Sequence, residues 1–167
     1  MKIFLAGFPG SGKTFLGKVA AHQLQIPFFD TDDLVAAETG KSVAEIFKVN
    51  GEEFFRKKES EVLRSLASKR KGIIAVGGGT PCYNDNMEWM NGNGITLYLE
   101  ATAAFLYHRL VKEKKSRPLI SELSDIELMI YITETLVARS PFYKQAQVTL
   151  NAETLTPGKL VSAITKV

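Results

Sequence analysis

The sequence contains only one cysteine, Cys82. A single thiol excludes a disulfide within the chain and a metal site built from several cysteines, and it is typical of a reducing compartment. Long apolar runs are also missing, and a membrane-spanning helix would need roughly 20 such residues. The first predicted strand follows Met1 directly, which leaves no room for a signal peptide. We therefore expect a cytoplasmic protein that does not bind membranes.

A strong charge of either sign is absent as well. The 167 residues carry a net charge of +3, which is too small to predict a nucleic-acid partner. The chain shows no internal repeat and no low-complexity linker. Its 45% apolar and 23% charged residues are ordinary values for a globular protein, and its length suits one domain with one core. We expect a single domain over residues 1–167.

The most informative motif is the octapeptide at residues 7–14, which reads Gly-Phe-Pro-Gly-Ser-Gly-Lys-Thr and fits the pattern G-x-x-x-x-G-K-[S/T]. An apolar, strand-like stretch precedes it and a helix-like stretch follows, as the pattern requires. Its glycines allow a tight turn whose N–H groups approach phosphate oxygens, and the helix adds the positive end of its dipole. Lys13 would reach the β- and γ-phosphates, and the Thr14 hydroxyl would bind Mg²⁺.

The motif therefore predicts a nucleoside triphosphate with Mg²⁺ as ligand. The alternative is a glycine-rich turn with a structural role only. The predicted nucleotide-binding residues of this segment are Gly10, Ser11, Gly12, Lys13, Thr14 and Phe15.

Apolar runs that are typical of buried strands alternate with helical patterns along the chain. The predicted strands are 2–6, 27–29, 72–76, 95–99 and 147–150. The predicted helices are 13–24, 32–38, 43–49, 52–69, 84–90, 101–111, 125–139 and 157–166. This alternation indicates a three-layer α/β/α fold, with a five-stranded parallel sheet and helices on both faces. In such sheets, ligands bind beyond the carboxyl ends of the strands.

Two further strands end in residues that suit phosphate chemistry. Asp30 and Asp32 follow the second strand, where carboxylates could hold Mg²⁺ or accept a proton from an attacking hydroxyl. An aspartate before a helix can also serve as its N-cap, and both roles can hold at once. The triplet at residues 77–79 is all glycine, which suits a substrate lying against bare backbone, although a flexible connector is an alternative.

Glu59 lies on an otherwise apolar stripe of the predicted helix 52–69, which Phe55, Val62 and Leu66 mark at helical spacing. Arg56 lies three residues earlier, so the two charged side chains can meet. An acid on an apolar stripe costs free energy unless it is paired. We favour the interpretation that Glu59 aims the Arg56 guanidinium into the cleft as an anion clamp. The alternative is a surface ion pair of little energetic value.

Two later segments add cations. Residues 112–119 are rich in charge and contain a proline, so they could close over a polyphosphate and exclude water. A charge run is equally typical of a solvated loop. Arg139, at the predicted end of a long helix, could bind an anionic substrate or simply stabilise the helix terminus.

Together these motifs resemble the shikimate kinase family over nearly the whole chain. The matching elements are the phosphate loop at 7–14, Asp30-x-Asp32, Phe55-Arg56-x-x-Glu59, Gly77-Gly78-Gly79, Arg117-Pro118-Leu119 and Arg139-x-Pro141-x-Tyr143. The resemblance implies a small monomeric P-loop kinase of the nucleoside-monophosphate-kinase type. Such an enzyme transfers the γ-phosphoryl group of ATP to the 3-hydroxyl of shikimate, on the route to chorismate and aromatic amino acids.

The resemblance also implies roles for residues near the phosphates. Asp32 would bind the shikimate hydroxyls and act as the base, and Asp30 would hold Mg²⁺ through water beside Thr14. Lys13 would stabilise the transferring group. Arg117 would contact the phosphates from a lid at about 112–123.

For shikimate itself, the resemblance implies a binding segment at about residues 31–60. Arg56 and Arg139 would grip the carboxylate of shikimate. The backbone N–H groups of Gly78 and Gly79 would contact the ring. The side chains of Phe47 and Phe55 would pack against it.

One position departs from the family pattern. The family commonly has an adenine-stacking arginine seven residues before the lid arginine, but here that position is Leu110, and Arg109 lies eight residues before Arg117. Arg109 is predicted to contact the nucleotide, and the residue that stacks on adenine stays open.

Two other functions compete with this interpretation. A gluconate-type or nucleotide kinase could use the same scaffold, although the glycine triplet argues against it. A nucleotide-dependent switch is the second alternative, and the sequence lacks the Asn-Lys-x-Asp motif that reads guanine.

Overall fold

A computed structural model describes residues 1–117 and 119–167. These residues form five strands, seven α-helices and three short 3-10 helices. The strands are β1 (Lys2–Ala6), β2 (Phe28–Asp30), β3 (Gly72–Ala75), β4 (Ile95–Glu100) and β5 (Val148–Asn151). The helices are α1 (Lys13–Leu24), α2 (Thr31–Thr39), α3 (Val43–Ser65), α4 (Asn86–Asn93), α5 (Ala103–Glu113), α6 (Asp125–Tyr143) and α7 (Pro157–Ile164).

All five strands are parallel and lie in the order β2-β3-β1-β4-β5. In the centre, Leu5 of β1 is in register with Ala75 of β3 and Leu97 of β4. The predicted parallel sheet is confirmed, and no strand boundary differs from its prediction by more than one residue. Because the strands are parallel, their carboxyl ends meet at one edge of the sheet.

Alternate side chains of β1 enter two hydrophobic cores on opposite faces of the sheet. Ile3 and Leu5 pack with side chains from α1, α5, α6 and α7. Phe4 and Ala6 pack with side chains from α3 and α4. Fully burying one such large apolar side chain stabilises the fold by about 1.5–3 kcal/mol. Helices therefore cover both faces, and the predicted three-layer architecture is confirmed.

A third, smaller core holds the helical segment that follows β2. It contains Val35 of α2 with Ile46, Phe55 and Val62 of α3. Gly51 interrupts α3 with a left-handed φ of 83°, so the helix consists of two pieces, as predicted. Ser42 and Glu45 begin α3 with a capping box.

Two helix boundaries differ from prediction for identifiable reasons. α4 begins at Asn86 rather than at residue 84, because Asn84 and Asp85 have left-handed φ angles of 50° and 54°. α6 continues to Tyr143, and its last turn contains Pro141, which lacks a backbone N–H. Arg139 therefore lies within α6, and the prediction that it ends the helix is wrong.

Within the described ranges, no helix combines the length and the apolar character that crossing a membrane would require.

Candidate active site

A cavity of about 620 Å³ lies beyond the carboxyl ends of β1, β2 and β3. We call it the phosphate-loop cavity, because residues of the phosphate loop form much of its wall. Its other lining residues come from the ends of β2 and β3, from the start of α2, from α5 and the segment after it, and from the segment between β5 and α7. Those that were predicted from the sequence are Gly10, Gly12, Lys13, Thr14, Phe15, Asp30, Asp32, Gly78, Arg109 and Arg117.

The phosphate loop has the backbone conformation that its glycines were predicted to allow. Gly10 and Gly12 have left-handed φ angles of 87° and 95°, which a residue with a side chain rarely adopts. The Ser11 N–H donates to the Phe8 carbonyl at 3.1 Å and closes the turn. Gly12 is the N-cap of α1 and offers no side-chain hydrogen bond to the first turn. The positive end of the α1 dipole therefore points into the cavity, where an anion would be stabilised.

The Lys13 side chain is folded back over the phosphate loop. Its Nζ donates to the carbonyl oxygens of Gly7 and Phe8, at 2.7 and 3.1 Å. Burial lowers the pKa of Lys13 to about 8, although the carboxylates of Asp32 and Asp30 oppose this shift. An anionic ligand would raise the pKa again, because a nearby negative charge favours the ammonium form.

Thr14 and Asp30 form a direct contact at the end of β2. The Thr14 hydroxyl donates to Oδ2 of Asp30 at 2.7 Å. Oδ1 of Asp30 accepts a hydrogen bond from the Asp32 N–H at 3.1 Å, so Asp30 is also the N-cap of α2. A hydroxyl and a carboxylate beside a phosphate site are the hard oxygen donors that Mg²⁺ prefers.

These two side chains could supply only part of a magnesium coordination shell. Among residues 1–117 and 119–167, no group of three or more His, Cys, Asp or Glu side chains could hold a metal ion. Mg²⁺ commonly binds through one or two protein ligands and takes the rest from water and phosphates. The residues present fit that mode of binding.

A second cavity, of about 210 Å³, adjoins the first. We call it the arginine cavity, because Arg56 and Arg139 lie in its wall together with all three residues of the glycine triplet. Phe47 and Phe55 also line it, with ring centres 4.8 Å apart. The residues that line both cavities are Pro9, Asp32, Gly77, Gly78 and Arg117. The two cavities therefore meet at Asp32.

Arg56 is held by two carboxylates. Its Nη1 donates to Oε2 of Glu59 at 2.6 Å, and its Nη2 and Nε donate to Oε1 of Glu52 at 3.0 and 3.2 Å. The side chains of Arg56 and Glu59 are only 7% and 1% exposed, so the alternative of a surface ion pair is wrong. The other oxygen of Glu59 accepts from the Thr80 hydroxyl at 2.6 Å. The sequence analysis missed Glu52, although its spacing of four residues from Arg56 could have revealed it.

The glycine triplet is required by side chains of the protein itself. A Cβ at Gly77 would overlap Oε1 of Glu59, and one at Gly78 would lie 2.5 Å from the ring of Pro9. At Gly79, it would lie 2.5 Å from Nη1 of Arg56. The backbone passes so close to these groups that a side chain at any of the three positions would have to displace one of them, and this close approach is what the three glycines allow.

The N–H groups of the triplet differ in their partners. The Gly77 N–H donates to the Thr31 hydroxyl at 3.0 Å. The N–H groups of Gly78 and Gly79 donate to no other group in the described part of the chain. Both residues line the arginine cavity, so their N–H groups are available to a ligand there.

Asp32 has an unusual carboxyl group. Burial raises its pKa to about 7, the negative charges of Glu59 and Asp30 add to this rise, and Lys13 and Arg56 oppose it. Its Oδ1 is buried and has no hydrogen-bond partner among the residues that the structure describes. A carboxyl group with a pKa near neutrality, at the junction of two cavities, is suited to accept a proton during a reaction.

Arg139 has a different environment from Arg56. Its guanidinium lies 5.7 Å from the centre of the Phe8 ring. Of the ion pairs found within residues 1–117 and 119–167, none involves Arg139. The charge of Arg139 is therefore available to an anion in the arginine cavity.

Arg109 and Phe15 lie on the outer side of the phosphate-loop cavity. Nη1 of Arg109 donates to the Gly10 carbonyl at 3.1 Å, and its guanidinium lies 4.4 Å from the Phe105 ring centre. Leu110 is buried in the core, so Arg109 is the residue of this pair that faces the cavity. Phe15 is 67% exposed at the rim.

The predicted lid begins at the end of α5. Arg117 lines both cavities, and its Nη2 donates to Oε2 of Glu113 at 2.6 Å. Leu119 and Ile120 line the arginine cavity. Pro118, which belongs to the predicted Arg-Pro-Leu motif, lies outside the described residues.

The chain is similar to known proteins over nearly its full length. The family model described as shikimate kinase matches residues 9–167. A shikimate kinase of Bacteroides thetaiotaomicron is 42% identical over 155 residues, which cover 93% of this chain and 89% of the relative.

Solved structures give the same result. A crystal structure of shikimate kinase from Bacteroides thetaiotaomicron superposes with a TM-score of 0.92 at 38% identity, over 99% of this chain and 97% of the other. A shikimate kinase from Acinetobacter baumannii in complex with shikimate has a TM-score of 0.89 at 30% identity, over 99% and 90%.

Proposed function

Because the chain belongs to the shikimate kinase family, we propose that it transfers the γ-phosphoryl group of ATP to the 3-hydroxyl of shikimate. The observation that carries the proposal is the junction of the two cavities at Asp32. One cavity suits a polyphosphate, and the other suits a small carboxylate. The enzyme would act as a monomer in the cytoplasm, on the route to chorismate and aromatic amino acids.

The phosphate-loop cavity binds ATP. The loop N–H groups and the dipole of α1 hold the phosphates, and the Lys13 ammonium reaches the β- and γ-phosphates. The Thr14 hydroxyl would hold Mg²⁺ directly and the Asp30 carboxylate would hold it through water, and the bound ion would supply positive charge beside the phosphate oxygens. Phe15 and Arg109, at the outer side of this cavity, contact the nucleoside.

The arginine cavity binds shikimate. Arg56 and Arg139 grip its carboxylate, because two guanidinium groups around one small cavity strongly favour an anionic ligand. The N–H groups of Gly78 and Gly79 bind the ring substituents. The paired rings of Phe47 and Phe55 pack against the apolar part of the ring.

Asp32 connects binding to chemistry. It accepts the proton of the 3-hydroxyl as that oxygen forms a bond to the γ-phosphorus, and the bond from phosphorus to the leaving ADP oxygen breaks. Lys13 and Arg117 neutralise the charge of the transferring group, which is the main requirement of phosphoryl transfer. A carboxyl pKa of about 7 makes Asp32 an effective acceptor near neutral pH.

Two segments of the single domain carry the acceptor side of the reaction. The shikimate-binding segment at about residues 31–60 contributes Asp32 and Arg56. The lid at about 112–123 contributes Arg117, which borders both cavities. Closure of this lid over the bound substrates excludes water and prevents hydrolysis of ATP.

The proposal is tested by measuring ADP release from ATP and Mg²⁺ in the presence of shikimate, gluconate, a nucleoside monophosphate or no acceptor. We expect rapid turnover with shikimate alone. Phosphorylation of gluconate or the monophosphate, but not of shikimate, would favour another kinase on this scaffold. Equal turnover with and without shikimate would favour a nucleotide-dependent switch.

A further inference from the structure

Tyr143 is buried directly behind the arginine cavity, and it has no part in the reaction proposed above. Its side chain is fully buried at the end of α6 and stacks on Tyr98, with ring centres 5.1 Å apart. Burial raises the pKa of Tyr143 above its ordinary value. The hydroxyl therefore keeps its proton, and it is a hydrogen-bond donor over the whole physiological pH range.

The Tyr143 hydroxyl donates its hydrogen bond to the carbonyl oxygen of Gly78, at 2.5 Å. No peptide bond among the described residues is cis. In a trans peptide, the C=O of one residue and the N–H of the next point in opposite directions. Holding the Gly78 carbonyl toward Tyr143 therefore turns the Gly79 N–H away from Tyr143, and this is an N–H with no protein partner in the described part of the chain.

Tyr143 also lies next to Arg139. The two residues are four positions apart on α6, so their side chains share one face of the helix. The positive charge of Arg139 is close enough to oppose the rise in the Tyr143 pKa. The buried Tyr143 hydroxyl thus connects the turn of α6 that carries Arg139 to the glycine triplet.

We propose that Tyr143 is a positioning residue for the acceptor. Its hydroxyl fixes the orientation of the peptide between Gly78 and Gly79, so that the Gly79 N–H is presented to the acceptor, and it holds α6 and Arg139 at a fixed distance from that donor. Only the identity of the acceptor rests on the proposed function. The alternative is that Tyr143 merely fills space in the core.

The substitution Tyr143→Phe separates these roles, because it removes the hydroxyl and keeps the stacked ring. We expect the KM for shikimate to rise about threefold to tenfold, the effect of losing one hydrogen bond, with the KM for ATP unchanged. Tyr98→Phe is the matched control, since Tyr98 stacks on the same ring and its hydroxyl interacts with Ser140 instead of the triplet. That control should leave the KM for shikimate unchanged.

A second measurement needs no substitution. In nitrogen-labelled wild-type protein, saturating shikimate should shift the amide resonance of Gly79 strongly and that of Gly92, in α4, hardly at all.

A Tyr143→Phe protein with normal shikimate KM and only a lowered melting temperature would overturn the proposal. An unshifted Gly79 resonance would also overturn it. If the proposed function were wrong, wild-type protein would show no shikimate-dependent turnover, and this result distinguishes it from failure of the proposal for Tyr143.

Discussion

The two cavities are built in different ways. The phosphate-loop cavity takes its phosphate-binding loop from one short segment, where Gly10, Gly12, Lys13 and Thr14 are neighbours in sequence. The arginine cavity is assembled from four stretches that are separated in sequence: the phosphate loop, α2 with α3, the turn after β3, and α5 with the lid and α6. The first depends on a backbone conformation, whereas the second depends on charged side chains that hold one another in place. Substitutions in the two cavities should therefore differ in their effects on catalysis, on substrate binding and on stability.

Lys13→Ala tests the phosphate-loop cavity and should have the largest effect on turnover. Loss of a cation that acts on the transition state should lower kcat by about a thousandfold. Folding should survive, because Lys13 bonds only to carbonyl groups of its own loop. Steady-state kinetics and circular dichroism would measure both effects, with exposed Lys18→Ala on α1 as the control. A kcat within tenfold of wild type would contradict the assignment.

Asp32→Asn tests the junction of the cavities. Removal of the base should lower kcat by about a hundredfold or more, and should abolish the acid limb of the kcat/KM profile, which we expect near the Asp32 pKa of about 7. Asp33→Asn, an exposed neighbour, is the control.

The same variant should become more stable in the absence of ligands. Because the folded state raises the Asp32 pKa from 3.8 to about 7, the wild type binds more protons folded than unfolded between these values. Its stability therefore falls as pH rises through that window. At pH 8 the variant should gain about 1–3 kcal/mol, measurable by urea unfolding. A near-normal kcat for Asp32→Asn would show that Asp32 only orients the substrate and does not act as the base.

A pair of substitutions separates the contributions of the two arginines in the arginine cavity. Arg56→Ala and Arg139→Ala should each raise the KM for shikimate by about 10- to 100-fold and leave the KM for ATP nearly unchanged. Only Arg56→Ala should also destabilise the fold, by about 3–5 kcal/mol, because it leaves the buried Glu59 unpaired. Equal losses of stability in the two variants would show that the buried ion pair of Arg56 with Glu59 adds nothing to stability beyond what Arg139 contributes.

Gly79→Ala should have a smaller effect of the same kind. The new Cβ would displace the Arg56 guanidinium, whose Nη1 lies 2.5 Å from its position, and should raise the KM for shikimate about fivefold to fiftyfold. Gly92→Ala, in α4, is the control, because a Cβ there meets open space and should be neutral or slightly stabilising. Normal kinetics for Gly79→Ala would mean that Arg56 has more freedom than its contacts indicate.

The same contrast explains what the sequence could predict. The apolar runs predicted the strands within one residue, and the contiguous octapeptide predicted the phosphate loop. Arg56 and Glu59 could be paired because their spacing of three residues is local to one helix. The reason for the glycine triplet could not be predicted, since Pro9 and Arg56 approach it only in the folded chain. The role of Tyr143 was missed for the same reason.

The extension of α6 past Arg139 is a further tertiary effect. Pro141 disfavours continuation of the helix. Tyr143 packs in the core two residues later, beside Tyr98, and this packing compensates for the lost backbone hydrogen bond.

In this proposal both cavities serve one phosphoryl transfer, with the acceptor hydroxyl beside Asp32. Phosphorus NMR of the product formed from ATP, Mg²⁺ and shikimate tests it most directly, because coupling to the ring proton identifies the esterified carbon. We predict a single phosphate ester at the 3-hydroxyl, formed in equal amount with ADP. Release of ADP with free phosphate and no ester, or an ester at another hydroxyl, would contradict the account.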